Sequence, residues 1–260
     1  MGCPENSAPA ESVIVALEKL REEPYASIIC YPRPSHGELE KRLEELRGLH
    51  VSSLEFKGEK QVFGVPVLGK GCVGLVVLAC RNGKKTALKI RRVDADRSRM
   101  QREAKLLQKA NSVGVGPKLG GVSRNLLLME YVDGDLLPMW LDKNPEKVKT
   151  QAVLREVLEQ CSRLDAVGLD HGELSHAPKH IIVDRKDEPF IVDFETASLE
   201  RRPSNVTSVC QFLFVGGAVA DSVAEKLGWR NRKKVVEALR RYKIDRSCVN
   251  FEKVLKVCGV

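Results

Sequence analysis

The chain has 260 residues, and its 43 lysines and arginines against 35 aspartates and glutamates give a net charge of +8 at neutral pH. This length suits one two-lobed domain with a small extension. No run of 18 apolar residues occurs and residues 1–9 are polar, so we expect no membrane span, no signal peptide and a cytoplasmic location. Eight cysteines without a Cys-x-x-Cys pair argue against a zinc site.

Residues 1–52 are predicted to form a small α/β extension packed on the lobe that follows. Residues 1–9 are expected to be irregular, and the apolar spacing of Ser12–Arg21 predicts a short amphipathic helix. Ser35 and Glu38 match the capping box of a second helix. Its inward-facing residues are Leu39, Leu43 and Leu46. The alternative interpretation is an independent partner-binding or winged-helix-like module.

Residues 53–132 have the pattern of a twisted antiparallel sheet with one helix. Asn82-Gly83 supplies a hairpin turn. The predicted strands are Leu54–Phe56, Gln61–Leu68, Leu75–Cys80, Thr86–Ile90 and Leu126–Tyr131. The helix is expected over Asp96–Ala110, with a glycine- and proline-containing connector after it.

Residues 133–260 read as a mainly helical lobe, with helices over Glu146–Val167 and from Val206 to the C-terminus. The fold class predicted for the whole chain is therefore α+β. The most basic segment, residues 230–243, has helical periodicity. It is either a solvated helix face or a contact for RNA or a ribonucleoprotein.

A glycine-rich segment provides the strongest indication of function. Gly69, Gly71 and Gly74 let the backbone approach a triphosphate without side chains in the way. Lys89 follows in a strand and offers a positive charge for the α- and β-phosphates. Glu103, on the next helix, is the expected anionic partner that orients this lysine.

Two later segments carry further polar candidates, Asp170–Val183 and Phe190–Glu195. Asp193 follows a run of strand-forming residues and can offer the hard oxygen ligand that Mg²⁺ prefers. These segments resemble the catalytic loop and the metal-binding loop of eukaryotic-like kinases. Further matching motifs are ALKIRR, Val115-Gly116-Pro117, LLLMEYVDG and IVDFETAS. The short His-Gly form is most like RIO-type kinases, the small kinase of the KEOPS complex and aminoglycoside phosphotransferases. With these motifs the chain most closely resembles the archaeal group of RIO-like Ser/Thr protein kinases. The kinase resemblance covers about residues 60–215, and only the archaeal group covers the ends.

This resemblance implies a two-lobed kinase fold that binds ATP with Mg²⁺ or Mn²⁺ and transfers the γ-phosphate to Ser/Thr of a protein, including the chain itself. The implied nucleotide-binding residues are Gly69, Gly71, Gly74, Val76, Ala87, Lys89, Glu103, Met129, Glu130, Val132 and Ile182. The implied catalytic residues are Glu173, Lys89 and Lys179. The implied metal ligands are Asp193 and His180. His171 is expected to brace the catalytic loop.

Several positions depart from the kinase pattern. Glu173 stands where the family has a catalytic aspartate, and His180 is the best match to its metal-binding asparagine. Glu195 replaces the glycine after Asp193-Phe194. The segment that docks peptide substrates in protein kinases has no counterpart. A pseudokinase, an ATPase-switch assembly factor that binds RNA, and a small-molecule kinase therefore remain as alternatives.

Overall fold

The computed structural model describes residues 12–96, 98–229 and 231–260. Expectations that concern residues 1–9 and Arg230 lie outside this part of the chain. The described residues divide into two compact units. The first contains the residues up to Ala104 together with Lys118–Tyr131, and the second contains Lys105–Pro117 and Val132–Val260.

The first unit is built on a seven-stranded antiparallel sheet with the order β1-β2-β6-β7-β9-β8, in which β5 pairs with β6. Its strands are β1 (Val13–Ala16), β2 (Val51–Phe56), β5 (Gly69–Lys70), β6 (Gly74–Arg81), β7 (Lys84–Arg91), β8 (Leu119–Val122) and β9 (Leu126–Glu130). A separate hairpin consists of β3 (Lys60–Val62) and β4 (Val65–Val67). Its helices are α1 (Tyr25–Ile29) and α2 (His36–Gly48), with a 3-10 helix at Leu17–Arg21. A further helix, α3 (Arg99–Asn111), begins in this unit, and its residues from Lys105 onward are counted with the second unit.

The predicted helix over Ser12–Arg21 is wrong. Val13–Ala16 forms β1 and pairs with β2, and only Leu17–Arg21 is helical, as a single 3-10 segment. The reason lies in Val13-Ile14-Val15, since three consecutive β-branched residues are restricted at χ1 in a helix and pack well in a sheet. Val15 is buried and Ile14 is exposed, which is the alternation of an edge strand.

The second predicted helix is confirmed as α2, with Leu39, Leu43 and Leu46 buried. Its capping box is not formed. Ser35 is the N-cap residue but its side chain makes no capping hydrogen bond. The Glu38 carboxylate accepts a hydrogen bond from Arg42 Nε at 2.9 Å instead.

Two tight turns with positive φ angles connect neighbouring strands as hairpins. Asn82 and Gly83, with φ of 50° and 73°, join β6 to β7 as predicted. The predicted single strand Gln61–Leu68 is wrong, because Phe63 and Gly64 also adopt positive φ and divide it into β3 and β4.

The two faces of the central sheet have different neighbours. Leu75, Val77, Leu88 and Ile90 share a core with residues of α1 and α2. Because side chains alternate along a strand, Gly74, Val76, Ala87, Lys89 and Met129 belong to the opposite face. Met100 and Ala104 of α3 pack on that second face with Val73 and Leu127.

Arg42 connects α2 to this sheet. Its side chain is fully buried, and its Nη1 donates to the carbonyl oxygens of Ile29 and Arg91, both at 2.6 Å. Arg91 lies in β7, two residues after Lys89, and its guanidinium donates to Asn125. The N-terminal helices are thus joined to β7 by buried polar contacts as well as by apolar packing.

The second unit is mainly helical. Its helices are α4 (Leu137–Asp142), α5 (Lys147–Ala166), α6 (Asn205–Cys210), α7 (Ala218–Leu227), α8 (Arg232–Ile244) and α9 (Cys248–Cys258), with a 3-10 turn at Leu174–His176 and a π-helical turn at Gln211–Val215. A three-stranded antiparallel sheet consists of β10 (Gly134–Leu136), β11 (Ile181–Asp184) and β12 (Pro189–Ile191). The sequence patterns indicated α5 and the helices from α6 to the C-terminus, but not α4. The predicted α+β class is confirmed.

Within the described residues, no single helix is long and apolar enough to cross a membrane. One pair that is bent by 73°, Asn205–Val215 with Ala218–Leu227, reaches that length and composition together.

We expect Arg42→Ala to lower the free energy of unfolding by about 3 kcal/mol, because it leaves Glu38 and two buried carbonyl groups without their donor. Lys41→Ala removes an exposed cation one residue away and should change the free energy of unfolding by less than about 0.5 kcal/mol. Urea denaturation of both variants measures the difference. Equal stabilities would contradict a structural role for Arg42.

Candidate active site

The glycine-rich segment forms a tight hairpin at the start of β6. Gly69 pairs with Val76, and the Gly71 N–H donates to the Gly74 carbonyl at 2.9 Å. A Cβ on Gly74 would lie 2.8 Å from the Ile90 oxygen and 3.2 Å from Lys89 Cγ. Only glycine at position 74 therefore leaves room for the lysine on the neighbouring strand.

Lys89 and Glu103 form a buried ion pair within the first unit. Lys89 Nζ lies 2.9 Å from each carboxylate oxygen of Glu103, and the two side chains are only 7% and 4% exposed. β7 places the lysine and α3 places the glutamate. Since an unpaired buried charge is costly, each residue restricts the other to this geometry.

The predicted adenine-binding residues fall in both units. Val76, Ala87 and Met129 lie on the same sheet face as Lys89 and are partly or fully buried. Glu130 ends β9, and its N–H donates to the Lys118 carbonyl at 2.8 Å. The second unit contains Val132 and, on β11, Ile182, both half-buried.

His171 braces the predicted metal loop. Its Nε2 lies 3.0 Å from the Val192 carbonyl oxygen, and its ring meets the Phe194 ring edge-on at a centroid distance of 5.1 Å. Burial lowers the pKa of His171 to about 4, outweighing the hydrogen bond to Val192 that favours the charged ring. The neutral ring is therefore a structural support at physiological pH.

A network of buried polar residues, which the sequence reasoning missed, holds the backbone before His171. The His171 N–H donates to Asn205 Oδ1 at 2.8 Å, and Asn205 Nδ2 donates to Asp165 Oδ1 and to the Leu169 carbonyl. Asp165 also accepts from the Tyr242 hydroxyl. Burial raises the pKa of the Asp165 carboxyl. Polar residues within otherwise apolar helical stretches were the only available signal.

Asp170 is held separately, by the segment before α6. Arg201 Nε donates to Asp170 Oδ2 at 2.8 Å, and the Ser204 N–H donates to Asp170 Oδ1 at 3.1 Å. These contacts and the Asn205 network fix the backbone on which Glu173 stands.

Glu173 and His180 are paired. His180 Nε2 lies 2.6 Å from Glu173 Oε2, with 2% of the His180 side chain exposed against 40% for Glu173. Among the described residues no group of three His, Cys, Asp or Glu side chains is arranged to hold a metal ion. The geometry joins His180 to Glu173.

Asp193 is exposed and has a φ of 67°, a left-handed conformation that is uncommon for a residue other than glycine. The next residue, Phe194, is buried against Gly116, where a Cβ would lie 2.9 Å from the phenylalanine ring. A carboxylate on a fixed loop fits one ligand of Mg²⁺, which takes one or two carboxylates together with phosphate oxygens. Lys179 is exposed on the preceding loop.

The antiparallel sheet with its buried Lys–Glu pair and the mainly helical second unit are features of a kinase-like fold. A family model described as the RIO domain matches residues 79–207, about half of the chain. The chain belongs to the RIO-domain family over this segment, and the predicted resemblance is confirmed. The match includes Lys89, Glu103, Glu173, His180 and Asp193, whereas the glycine-rich hairpin precedes it.

A curated protein also matches part of the chain. An uncharacterised protein of Methanocaldococcus jannaschii is 29% identical over 117 residues, which is 44% of this chain and 98% of the relative.

The lowered pKa of His171 predicts how stability depends on pH. Below pH 6.5 the His171 side chain of the unfolded chain binds a proton, whereas in the folded chain it stays neutral down to about pH 4. The folded state therefore keeps its full stability with respect to His171 above pH 6.5 and loses stability as the pH falls below that value. The loss amounts to about 3 kcal/mol by pH 4.

We therefore expect His171→Gln to lose less stability than the unchanged chain between pH 7 and pH 4 in urea titrations. His36→Gln, which removes an exposed histidine, should follow the unchanged chain. An identical pH dependence for His171→Gln would contradict the assignment.

Proposed function

We propose that this protein is an ATP-dependent phosphotransferase that delivers the γ-phosphate to a Ser/Thr hydroxyl of a protein, its own chain included. The observation that supports this most directly is the buried Lys89–Glu103 pair beside Gly74. Phosphoryl transfer depends on positioning and charge neutralisation, and a fixed lysine next to a side-chain-free hairpin can supply both to a phosphate chain.

In this proposal the first unit binds the nucleotide. Lys89 contacts the α- and β-phosphates, and Glu103 orients its ammonium group. Gly69, Gly71 and Gly74 cover the phosphates with backbone. The residues assigned to the adenine ring are Val76, Ala87, Met129, Glu130, Val132 and Ile182.

The second unit supplies the groups for transfer. Glu173 accepts the proton of the attacking hydroxyl, and Lys179 stabilises charge on the transferred group. Asp193 holds a divalent cation, Mg²⁺ or Mn²⁺, which when bound neutralises charge on the phosphates.

We expect Lys89→Ala to reduce transfer of ³²P from γ-labelled ATP at least about 100-fold, because it removes a preorganised cation from the phosphates. Lys84→Ala, which removes an exposed lysine at the start of the same strand, should leave the rate within about twofold. The assay follows label in protein, in free phosphate and in added small molecules, with Mg²⁺ or Mn²⁺.

Each distribution of label decides between the alternatives. Label on protein that disappears in Lys89→Ala supports the protein kinase. Free phosphate alone indicates an ATPase switch, and label on a metabolite indicates a small-molecule kinase. Tight ATP binding with no transfer makes the chain a pseudokinase. Full activity of Lys89→Ala would contradict the proposed site.

A second activity, binding of RNA, is favoured by the surface of α8. Val235, Ala238, Leu239 and Tyr242 bury one side of this helix. Its exposed cations are Arg232, Lys233, Lys234, Arg240, Arg241 and Lys243. Trp229, 66% exposed, lies just before the helix and Arg232 stacks over its ring. Exposed cations with an aromatic ring suit a single-stranded phosphate backbone and its bases.

We expect replacement of Lys233, Arg240 and Lys243 by alanine to weaken binding of a labelled single-stranded RNA at least about tenfold at 0.1 M salt and to reduce the salt dependence. The matched control replaces three exposed cations of the first unit, Lys19, Lys41 and Arg47. Equal loss in both triple variants would show a general charge effect and contradict an α8 site.

A further inference from the structure

The pair formed by Glu173 and His180 reaches from the interior of the second unit to its surface. The His180 ring is 2% exposed, while the glutamate side chain is 40% exposed. His180 Nε2 approaches one carboxylate oxygen, Oε2, at 2.6 Å. The other oxygen, Oε1, is therefore the one that remains for a ligand on the solvent side.

Both backbone polar groups of His180 are hydrogen-bonded. Its N–H donates to the Ala177 carbonyl at 3.2 Å, and its carbonyl accepts from the Val192 N–H at 3.0 Å. The residue immediately precedes β11. The imidazole consequently stands on a backbone that is tied to the loop carrying Asp193.

The His180 ring is also held from the side. It meets the His171 ring edge-on at a centroid distance of 5.5 Å, and His171 is itself bonded to the Val192 carbonyl. His180 Nδ1 is buried and has no hydrogen-bond partner among the described residues. The ring hydrogen thus belongs on Nε2, where it points at the Glu173 carboxylate.

This arrangement does not suit metal binding by His180. Coordination through Nε2 would require the ring to release Glu173, and coordination through Nδ1 would place the ion inside the core. Imidazole is in any case a poor ligand for Mg²⁺, which prefers oxygen.

We propose that His180 is a positioning residue that holds the carboxylate of Glu173 for the transfer reaction. Glutamate has one more methylene than the aspartate that the kinase pattern expects, and so has one more rotatable bond. The hydrogen bond from His180 Nε2 restricts rotation of the Glu173 side chain and directs its Oε1 toward the acceptor hydroxyl. This inference rests on the proposed phosphotransferase function.

The test compares two amide replacements of His180. Glutamine places its amide N–H near the position of Nε2, whereas asparagine is one bond shorter. A positioning role predicts that His180→Gln keeps kcat for ³²P transfer within about fivefold, and that His180→Asn and His180→Leu lower kcat by about 10- to 100-fold with little change in the KM for ATP. His176→Leu, at an exposed histidine of the same loop, should have no effect.

A double variant tests whether His180 acts through Glu173. In a Glu173→Ala background, His180→Leu should cause no further loss of kcat, since the group that it positions is already absent. Thermal denaturation of each variant gives the folded fraction. If His180→Leu does not fold, the comparison of glutamine with asparagine carries the test alone.

The contradicting outcomes are distinct. Activity that asparagine retains and glutamine loses, with a changed requirement for Mg²⁺ or Mn²⁺, would make His180 a metal ligand. Unchanged kcat in His180→Leu, or equal losses in all three variants that follow their stability, would overturn the positioning role alone. Absence of transfer by the unchanged chain would overturn the proposed function and this role with it.

Discussion

The buried ion pair between Lys89 and Glu103 determines how the elements around it in the first unit are arranged. Two opposite charges with almost no exposure to water are stable only when they remain paired. That requirement fixes the position of α3 against β7, and it explains why Gly74 has no side chain beside Lys89. The same geometry leaves a lysine oriented next to a backbone hairpin, which is the arrangement that phosphate recognition needs.

The N-terminal helices support this pair from the other side of the sheet. Their leucines share a core with Leu88 and Ile90, the neighbours of Lys89 in β7. Arg42 adds a hydrogen bond to the Arg91 carbonyl. Because alternate residues of one strand face the two layers, packing of α1 and α2 restricts the strand that carries the lysine without occupying the lysine's face of the sheet.

Local patterns were sufficient for the parts of the fold in which neighbouring residues decide the structure. Alternating strands, the Asn82-Gly83 turn and the Lys89–Glu103 pair could all be predicted. The capping box predicted at Ser35 is not formed, because Arg42, buried by tertiary packing, donates to the Glu38 carboxylate instead. In the second unit the contacts of His171 with Asn205, and of Glu173 with His180, join residues whose proximity no periodicity reveals. In this unit the sequence could therefore identify the charged groups but not the buried partners that orient them.

A double-mutant cycle on the rate of ³²P transfer tests the central claim, that Glu103 acts by holding Lys89. Lys89→Met and Glu103→Gln should each lower the rate per folded molecule. The double variant should be no slower than Lys89→Met. The coupling free energy then equals the loss that Glu103→Gln causes on its own, about 2 kcal/mol. Losses that add in the double variant would show that the two residues act independently, and would contradict the account given for this site.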